Sequence, residues 1–199
     1  MSYPRKKDLE IQLSKLRGFN NPKAWLEQYS TDPILASYLV NSAFLRGDIR
    51  DKNVLDAGAG TGVLSYSALY YGCKSVTSVE IDEEQRQVLM ENLKTFKNWE
   101  IVIKNAQDLE GHWDTVMCNT PFGSQMKDLD IPILTKVFES GDVVYLIHNW
   151  KAKDFVIDFA KKYSSQVEFE RKNLIIPRLY KHHTREYLKI DVILLVCAV

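Results

Sequence analysis

The stretch Val54–Gly72, VLDAGAGTGVLSYSALYYG, reads as a strand, a glycine-rich turn and a helix in direct succession. Apolar Val54 and Leu55 lead into Asp56, after which Gly58, Gly60 and Gly62 recur at every second position. The run Val63 to Tyr71 then carries no glycine or proline, as a helix requires. Glycines at this density let the chain fold tightly after a strand and let a ligand approach the backbone.

On both sides of this turn the pattern repeats. NVLDAG, SVTSVE, IVIKN, TVMCN and VVYLIH are strand-like runs, and helical stretches such as Val63 to Tyr71 and Glu83 to Phe96 separate several of them. Strands alternating with helices imply crossover connections and a mostly parallel sheet covered on both faces, a doubly wound α/β domain. Near the C-terminal end, Ala152, Phe155, Val156, Phe159, Ala160 and Tyr163 form a helical stripe. VEFERKNLIIP and YLKIDVILLVCAV follow as two runs whose short basic link leaves no room for a crossover helix, so they must pair antiparallel. The expected sheet therefore has seven strands, mostly parallel, with an antiparallel C-terminal hairpin. Toward the N-terminus, Leu9, Leu13 and Leu16 fall at helical spacing and Gly18 stops the pattern. NNPKAWLEQYSTDP follows as an irregular segment, and Asp32 before Pro33 reads as the N-cap of a helix running to about Phe44.

Composition sets outer bounds. At 199 residues and 45% hydrophobic content, the chain is expected to form one domain over 1–199, with a helical N-terminal extension over about residues 1–45. Lys plus Arg and Asp plus Glu are both 26, so any nucleic-acid surface must come from local charge. Cys73, Cys118 and Cys197 are far apart, odd in number and without metal-ligand spacing, which argues for buried thiols in a reducing compartment and against a disulfide framework or a zinc site. The sequence contains neither a run of eighteen apolar residues nor a secretory signal pattern in MSYPRKKDLE, so a soluble, cytoplasmic protein without a membrane partner is expected.

The glycine spacing suggests the ligand. A dinucleotide fingerprint spaces its glycines G-x-G-x-x-G. Alternate glycines after an acidic residue, with Glu80 ending the next strand, suit S-adenosylmethionine better. That molecule has no pyrophosphate to place on a helix N-terminus, but it has an amino-acid group, a ribose diol and an adenine to hold. Glu80 can accept hydrogen bonds from both ribose hydroxyls, which a carboxylate does better than a neutral group. Asp56 organises the turn and can reach the ammonium group through water.

A second site follows the fourth strand-like run, in MCNTPFGSQ, Met117 to Gln125. An amino group on a flat ring has two N–H donors and a lone pair delocalised into the ring. Asn119 Oδ1 can accept one N–H and the carbonyl of Thr120 the other, favouring a pyramidal nitrogen whose lone pair is exposed. Phe122 can stack on the ring, a contact that contributes roughly 1–3 kcal/mol per base, and Pro121 fixes the turn.

The order and spacing of LEQYSTDP, DAGAGTGVLS, EID, NTPFG and IPRLYKHHTREYLKIDV resemble the methyltransferase-like protein 5 family of N6-adenine RNA methyltransferases, in its archaeal form. The resemblance covers nearly the whole chain. It implies a Rossmann-like class I methyltransferase fold, S-adenosylmethionine as cofactor and an adenine in structured RNA, small-subunit rRNA, as substrate. It also places Gln28 and Thr31 in the cofactor pocket and Asn119, Thr120, Pro121 and Phe122 at the catalytic motif. Two positions depart from the family pattern: Thr120 replaces a proline, and Asn105 stands where an aspartate near the cofactor adenine is usual. Asn105 can still accept from the adenine amino group. The family's eukaryotic member works with a small zinc-binding activator protein that adds to the sheet edge, which makes such a protein a candidate partner here.

The remaining residues divide between scaffold and surface. His148 ends the fifth strand-like run and reads as a hydrogen-bonded structural histidine rather than a base. His182 and His183 are adjacent and would point apart on a strand, so no metal is expected. The segment Arg178 to Arg185, RLYKHHTR, reads as an RNA contact through Arg178, Tyr180, Lys181 and Arg185, with a solvated hairpin loop as the alternative. Arg5, Lys6 and Lys7 extend that surface. Trp25, Trp99, Trp113 and Trp150 read as packing residues. Two rival functions use the same pattern: methylation of a glutamine side chain in a protein, whose carboxamide nitrogen is also planar and conjugated, and a cofactor-binding scaffold without turnover.

Overall fold

The computed structural model describes residues 4–119, 130–177 and 187–199. In chain order the strands are β1 (Asn53–Ala57), β2 (Ser75–Glu80), β3 (Trp99–Ile103), β4 (Trp113–Asn119), β5 (Gly141–Asn149), β6 (Val167–Pro177) and β7 (Tyr187–Ala198). They form a single sheet in the order β3-β2-β1-β4-β5-β7-β6. The pairs among β1 to β5 are parallel, whereas β7 runs antiparallel to both β5 and β6. This is the expected seven-stranded architecture with its C-terminal hairpin. Strand order reverses between β1 and β4, so a crevice opens at the carboxyl ends of these two strands. Ala57 pairs with Cys118, which sets Asn119 one residue beyond, at the mouth of that crevice.

The helices are α1 (Lys6–Leu13), α2 (Pro33–Arg46), α3 (Val63–Tyr70), α4 (Arg86–Leu93), α5 (Asp130–Glu139) and α6 (Lys153–Ala160). Because side chains alternate across a strand, the sheet divides its apolar residues between two cores. On one face Val54, Val76, Met117, Ile147 and Leu194 pack with Leu9 and Leu13 of α1, Leu39 of α2 and Leu64 of α3. On the other face Leu55, Val79, Cys118, Leu146 and Leu195 pack with Leu134 and Phe138 of α5 and Phe159 of α6. Asp56, Glu80 and Asn119 share the parity of Val54, Val76 and Met117, so all three lie on the α3 side of the sheet.

Local chemistry explains the element boundaries. Asp32 Oδ1 accepts from the amides of Ile34 and Leu35 at 2.9 and 3.0 Å, with Pro33 in the first turn of α2. That helix continues past Phe44 to Arg46 and ends on Gly47 at φ +88°. The expected helix Glu83 to Phe96 is instead a 3-10 turn, Glu83–Gln85, followed by α4, which ends at Leu93. The stripe-bearing helix likewise opens with a 3-10 turn over Trp150–Ala152. Helix α5 has no counterpart in the sequence reading; its Pro132 in the first turn is tolerated because those amides lack intrahelical partners.

Candidate active site

At the crevice, residues of the glycine turn, the end of β2, the loop after β3, the end of β4 and the segment before α2 enclose a cavity of about 300 Å³. That volume lies at the lower end of small-molecule sites, about 300–1,000 Å³. Gln28, Thr31, Asp56, Gly58, Gly60, Glu80, Asn105 and Asn119 all line it, so one cavity gathers residues spread over five parts of the sequence.

The glycine turn is anchored to the neighbouring strand. The amides of Gly58 and Ala59 donate to Val79 O at 2.9 and 2.8 Å. Gly60 has φ +56°, and a Cβ there would stand 2.8 Å from the Phe19 ring, so both backbone conformation and close approach require glycine. Asp56 Oδ2 accepts from the Ser65 amide at 2.8 Å and from Ser65 Oγ at 2.6 Å, tying the strand to the first turn of α3. Its other oxygen, Oδ1, is buried and has no hydrogen-bond partner among the described residues. Burial pushes the carboxyl up to about 6, against the lowering effect of the Ser65 bonds. An unsatisfied buried carboxylate oxygen beside open glycine backbone fits the ammonium group of an amino-acid moiety, directly or through a water.

Glu80 serves the scaffold as well as the cavity. Its Oε2 accepts from the Gly60 amide at 2.8 Å and its Oε1 from the Asp82 amide at 3.0 Å. Burial raises its pKa while those backbone bonds pull it down. Each carboxylate oxygen has a further lone pair, which leaves capacity for the two hydroxyls of a ribose. Asn105 lies across the cavity and caps a short 3-10 turn by accepting from the Gln107 amide at 3.2 Å.

The roof is the segment that reads as irregular in sequence, and apart from a 3-10 turn over Ala24–Leu26 it is irregular. Side chains on and before α4 hold it down. Asn92 Oδ1 accepts from the Arg17 amide at 2.9 Å, and Asn92 Nδ2 donates to Arg17 O at 3.0 Å and to Thr61 O at 2.8 Å. Gln85 accepts from the Asn20 amide at 3.1 Å and donates to Asn20 O at 2.8 Å. Gln28 Oε1 accepts from the Lys23 amide at 2.8 Å, and Gln28 Nε2 donates to Asp82 at 2.8 Å, so this side chain pins the roof as well as lining the cavity. Burial would raise Asp82, but bonds from Lys23, Gln28, Gln85 and the Glu84 amide hold it down at about 2. Phe19, Gln85 and Asn92 carry no motif or periodicity that points to this role, and Asp82, though it belongs to the EID motif, has nothing in its sequence context that ties it to the roof.

Asn119 lines the cavity from the end of β4. Its Nδ2 donates to Thr31 Oγ1 at 2.9 Å, and its Oδ1 is buried without a hydrogen-bond partner among the described residues. Thr31 therefore touches the end of β4 as well as lining the cavity. His148 has the opposite parity from Ile147, the residue paired with Asn119, so it faces the other core; its Nδ1 accepts from the Asn149 amide at 2.8 Å.

Three of the tryptophans are half-buried and Trp150 carries Arg171 at 5.1 Å, but Trp25 is 59% exposed on the cavity wall and is not a packing residue. Among the N-terminal basic residues, Arg5 pairs with Asp8 at 2.8 Å and Lys6 pairs with Glu10. Thr120, Pro121, Phe122, Arg178, Tyr180, Lys181, His182, His183 and Arg185 lie outside the described residues.

A doubly wound sheet with this antiparallel end, opening on a glycine turn between two acids, defines a class I methyltransferase that uses S-adenosylmethionine. The chain belongs to the family described as conserved hypothetical protein 95, whose model matches residues 39–161. The expected likeness to methyltransferase-like protein 5 holds over nearly the full length. The Danio rerio rRNA N(6)-adenosine-methyltransferase METTL5 is 29% identical, covering 94% of this chain and 95% of its own. An uncharacterized protein of Methanocaldococcus jannaschii, MJ0284, is 31% identical over 96% of this chain and 92% of its own. The crystal structure of a candidate RNA methyltransferase, PH1948 from Pyrococcus horikoshii, superposes with a TM-score of 0.91 at 43% identity, covering 100% of this chain and 99% of that one. Among the described residues, no helix is long and apolar enough to cross a membrane.

Proposed function

We propose that the protein methylates the N6 amino group of an unpaired adenine in structured RNA, with small-subunit rRNA as the substrate and the whole chain acting as one domain. The observation that carries this reading is the buried Asn119 Oδ1 at the end of β4, an acceptor without a partner among the described residues and placed beside the cavity. The rRNA N(6)-adenosine methylation for which METTL5 is named, a relative that aligns over 94% of this chain, supports the same substrate class.

Gln28, Thr31, Asp56, Gly58, Gly60, Glu80 and Asn105 form the cofactor site in this reading. Bound S-adenosylmethionine supplies an electrophilic methyl group. Asn119 Oδ1 accepts one N–H of the adenine amine and the Thr120 carbonyl accepts the other, which draws the nitrogen lone pair out of the ring. Pro121 shapes the turn and Phe122 stacks on the base. The methylated nitrogen sheds its extra proton to water, so no dedicated base is required. A paired adenine cannot offer its amine in this way, which restricts the substrate to loops or unstacked positions.

Arg178, Tyr180, Lys181 and Arg185, with the exposed Lys7 beside Arg5 and Lys6, form the RNA surface in this reading. A small zinc-binding protein on the sheet edge is the proposed activator, and the cytoplasm the proposed compartment. Labelled methyl transfer into total RNA and total protein tests the reaction. Label in rRNA as N6-methyladenine is expected; label confined to protein glutamine, or none with the activator present, would overturn it. Neutralising Arg178, Lys181 and Arg185 together should weaken RNA binding and flatten its salt dependence, since fewer counterions are released. An unchanged salt series would remove this segment from the RNA surface.

A further inference from the structure

We infer that Thr31 is a positioning residue for Asn119, holding its side-chain amide through the nitrogen so that the oxygen faces the acceptor, an inference that rests on the proposed adenine reaction. The contact is the bond from Asn119 Nδ2 to Thr31 Oγ1 at 2.9 Å, made across 88 positions of sequence. A carboxamide torsion is broad and two-fold, so an asparagine without a directing partner presents its oxygen or its NH2 group with similar ease. Only the oxygen can receive an N–H from an amine; the NH2 group would oppose it with another donor. Donation to Thr31 engages the nitrogen and leaves Oδ1 as the buried atom without a partner among the described residues.

Thr31 is itself held from both sides. It is 8% exposed, and the preceding residue, Ser30, bonds through Oγ to Thr61 Oγ1 in the glycine turn at 3.2 Å. The following residue, Asp32, is locked as the N-cap of α2. Ser30 and Thr31 thus connect the turn that faces the methyl donor with the strand end that faces the methyl acceptor. A bracket of this kind fixes the separation of two reacting groups that belong to different halves of the sheet.

The decisive variant is Thr31→Val, which preserves shape and removes the acceptor; Thr31→Ser retains the hydroxyl, and Thr31→Ala replaces Thr31→Val if the latter melts early. With RNA and cofactor both saturating, so that any loss of cofactor contact at Thr31 does not enter the rate, Thr31→Val should lower kcat by about tenfold to a hundredfold, and calorimetry measures its effect on cofactor affinity separately. Thr31→Ser should recover most of the lost kcat. An independent readout uses cofactor-free protein labelled with 15N at asparagine, in which the Asn119 side-chain NH2 pair is identified by its loss in Asn119→Asp. That pair should shift in Thr31→Val and return near its wild-type position in Thr31→Ser. Wild-type kcat in Thr31→Val, or an unmoved NH2 pair, would overturn the inference. So would a loss confined to cofactor affinity with kcat unchanged at saturation, which would make Thr31 a cofactor contact only. Failure of the wild-type protein to methylate RNA would instead refute the proposed reaction, and the spectra would still decide whether the contact exists.

Discussion

The two sides of the cavity use different chemistry to hold their polar groups. On the side proposed for the methyl donor the carboxylates Asp56 and Glu80 are part of the scaffold: between them they accept from Ser65, Gly60 and Asp82. On the side proposed for the methyl acceptor a neutral amide, Asn119, is bonded to the Thr31 side chain, and its oxygen has no partner among the described residues. A change on the donor side must therefore disturb fold and ligand together, whereas a change at Asn119 should reach the reaction alone.

The sharpest test of this contrast is Asn119→Ala. Methyl transfer should fall by at least about a hundredfold, comparable to the loss of one oriented group in other active sites, with cofactor affinity within a few-fold by calorimetry. A parallel loss of affinity and turnover would erase the distinction. Glu80→Ala should behave in the opposite way, weakening cofactor binding by roughly 1–3 kcal/mol and lowering the melting temperature as well, because the amides of Gly60 and Asp82 lose their acceptor. Unchanged affinity would remove Glu80 from the site.

Acid titration probes the roof and the turn separately. Asp82 is held at about 2, below an ordinary carboxyl, so its contribution is present above about pH 4 and is lost as the pH falls toward 2. This buried group should account for about 2 kcal/mol in that window, and Asp82→Asn should remove the corresponding part of the stability profile. Asp56 has the opposite sign. Its folded pKa of about 6 lies above the unfolded value of 3.8, so the cofactor-free protein gains stability from this group as pH falls from 6 to 4. Cofactor affinity should move the other way, flat above about pH 6 and weakening by up to about tenfold per pH unit below it, as the carboxylate that attracts the ammonium is protonated. Affinity independent of pH between 5 and 7 would argue against that contact.

Much of the fold was legible because its signals are local. The strand, glycine turn and helix at Val54–Tyr70, the Asp32–Pro33 cap and the antiparallel hairpin each follow from neighbouring residues. Helix α5 and the split before α4 were less visible, since a proline and a 3-10 turn interrupt their periodicity. The acids and glycines of the cavity could be named from their spacing. The roof could not: Phe19 meets Gly60, and Asn92 meets Arg17 across 75 positions, through contacts that arise only on tertiary packing. Trp25 illustrates the limit of composition, because an aromatic residue next to a polar segment carries no sign of whether it faces a core or a cavity.

The place of β7 in the sheet bears on how the chain reaches its native state. Seventh in sequence, it lies between β5 and β6 and contributes Val192 and Leu194 to one core and Ile193, Leu195 and Cys197 to the other. Until Tyr187–Ala198 has left the ribosome, β5 is an unpaired edge and both hydrophobic layers remain open along it. Such an edge invites pairing with a second nascent chain. Completion of the sheet is thus a late, long-range event during synthesis, and chaperone demand should be greatest for chains released or stalled just short of β7.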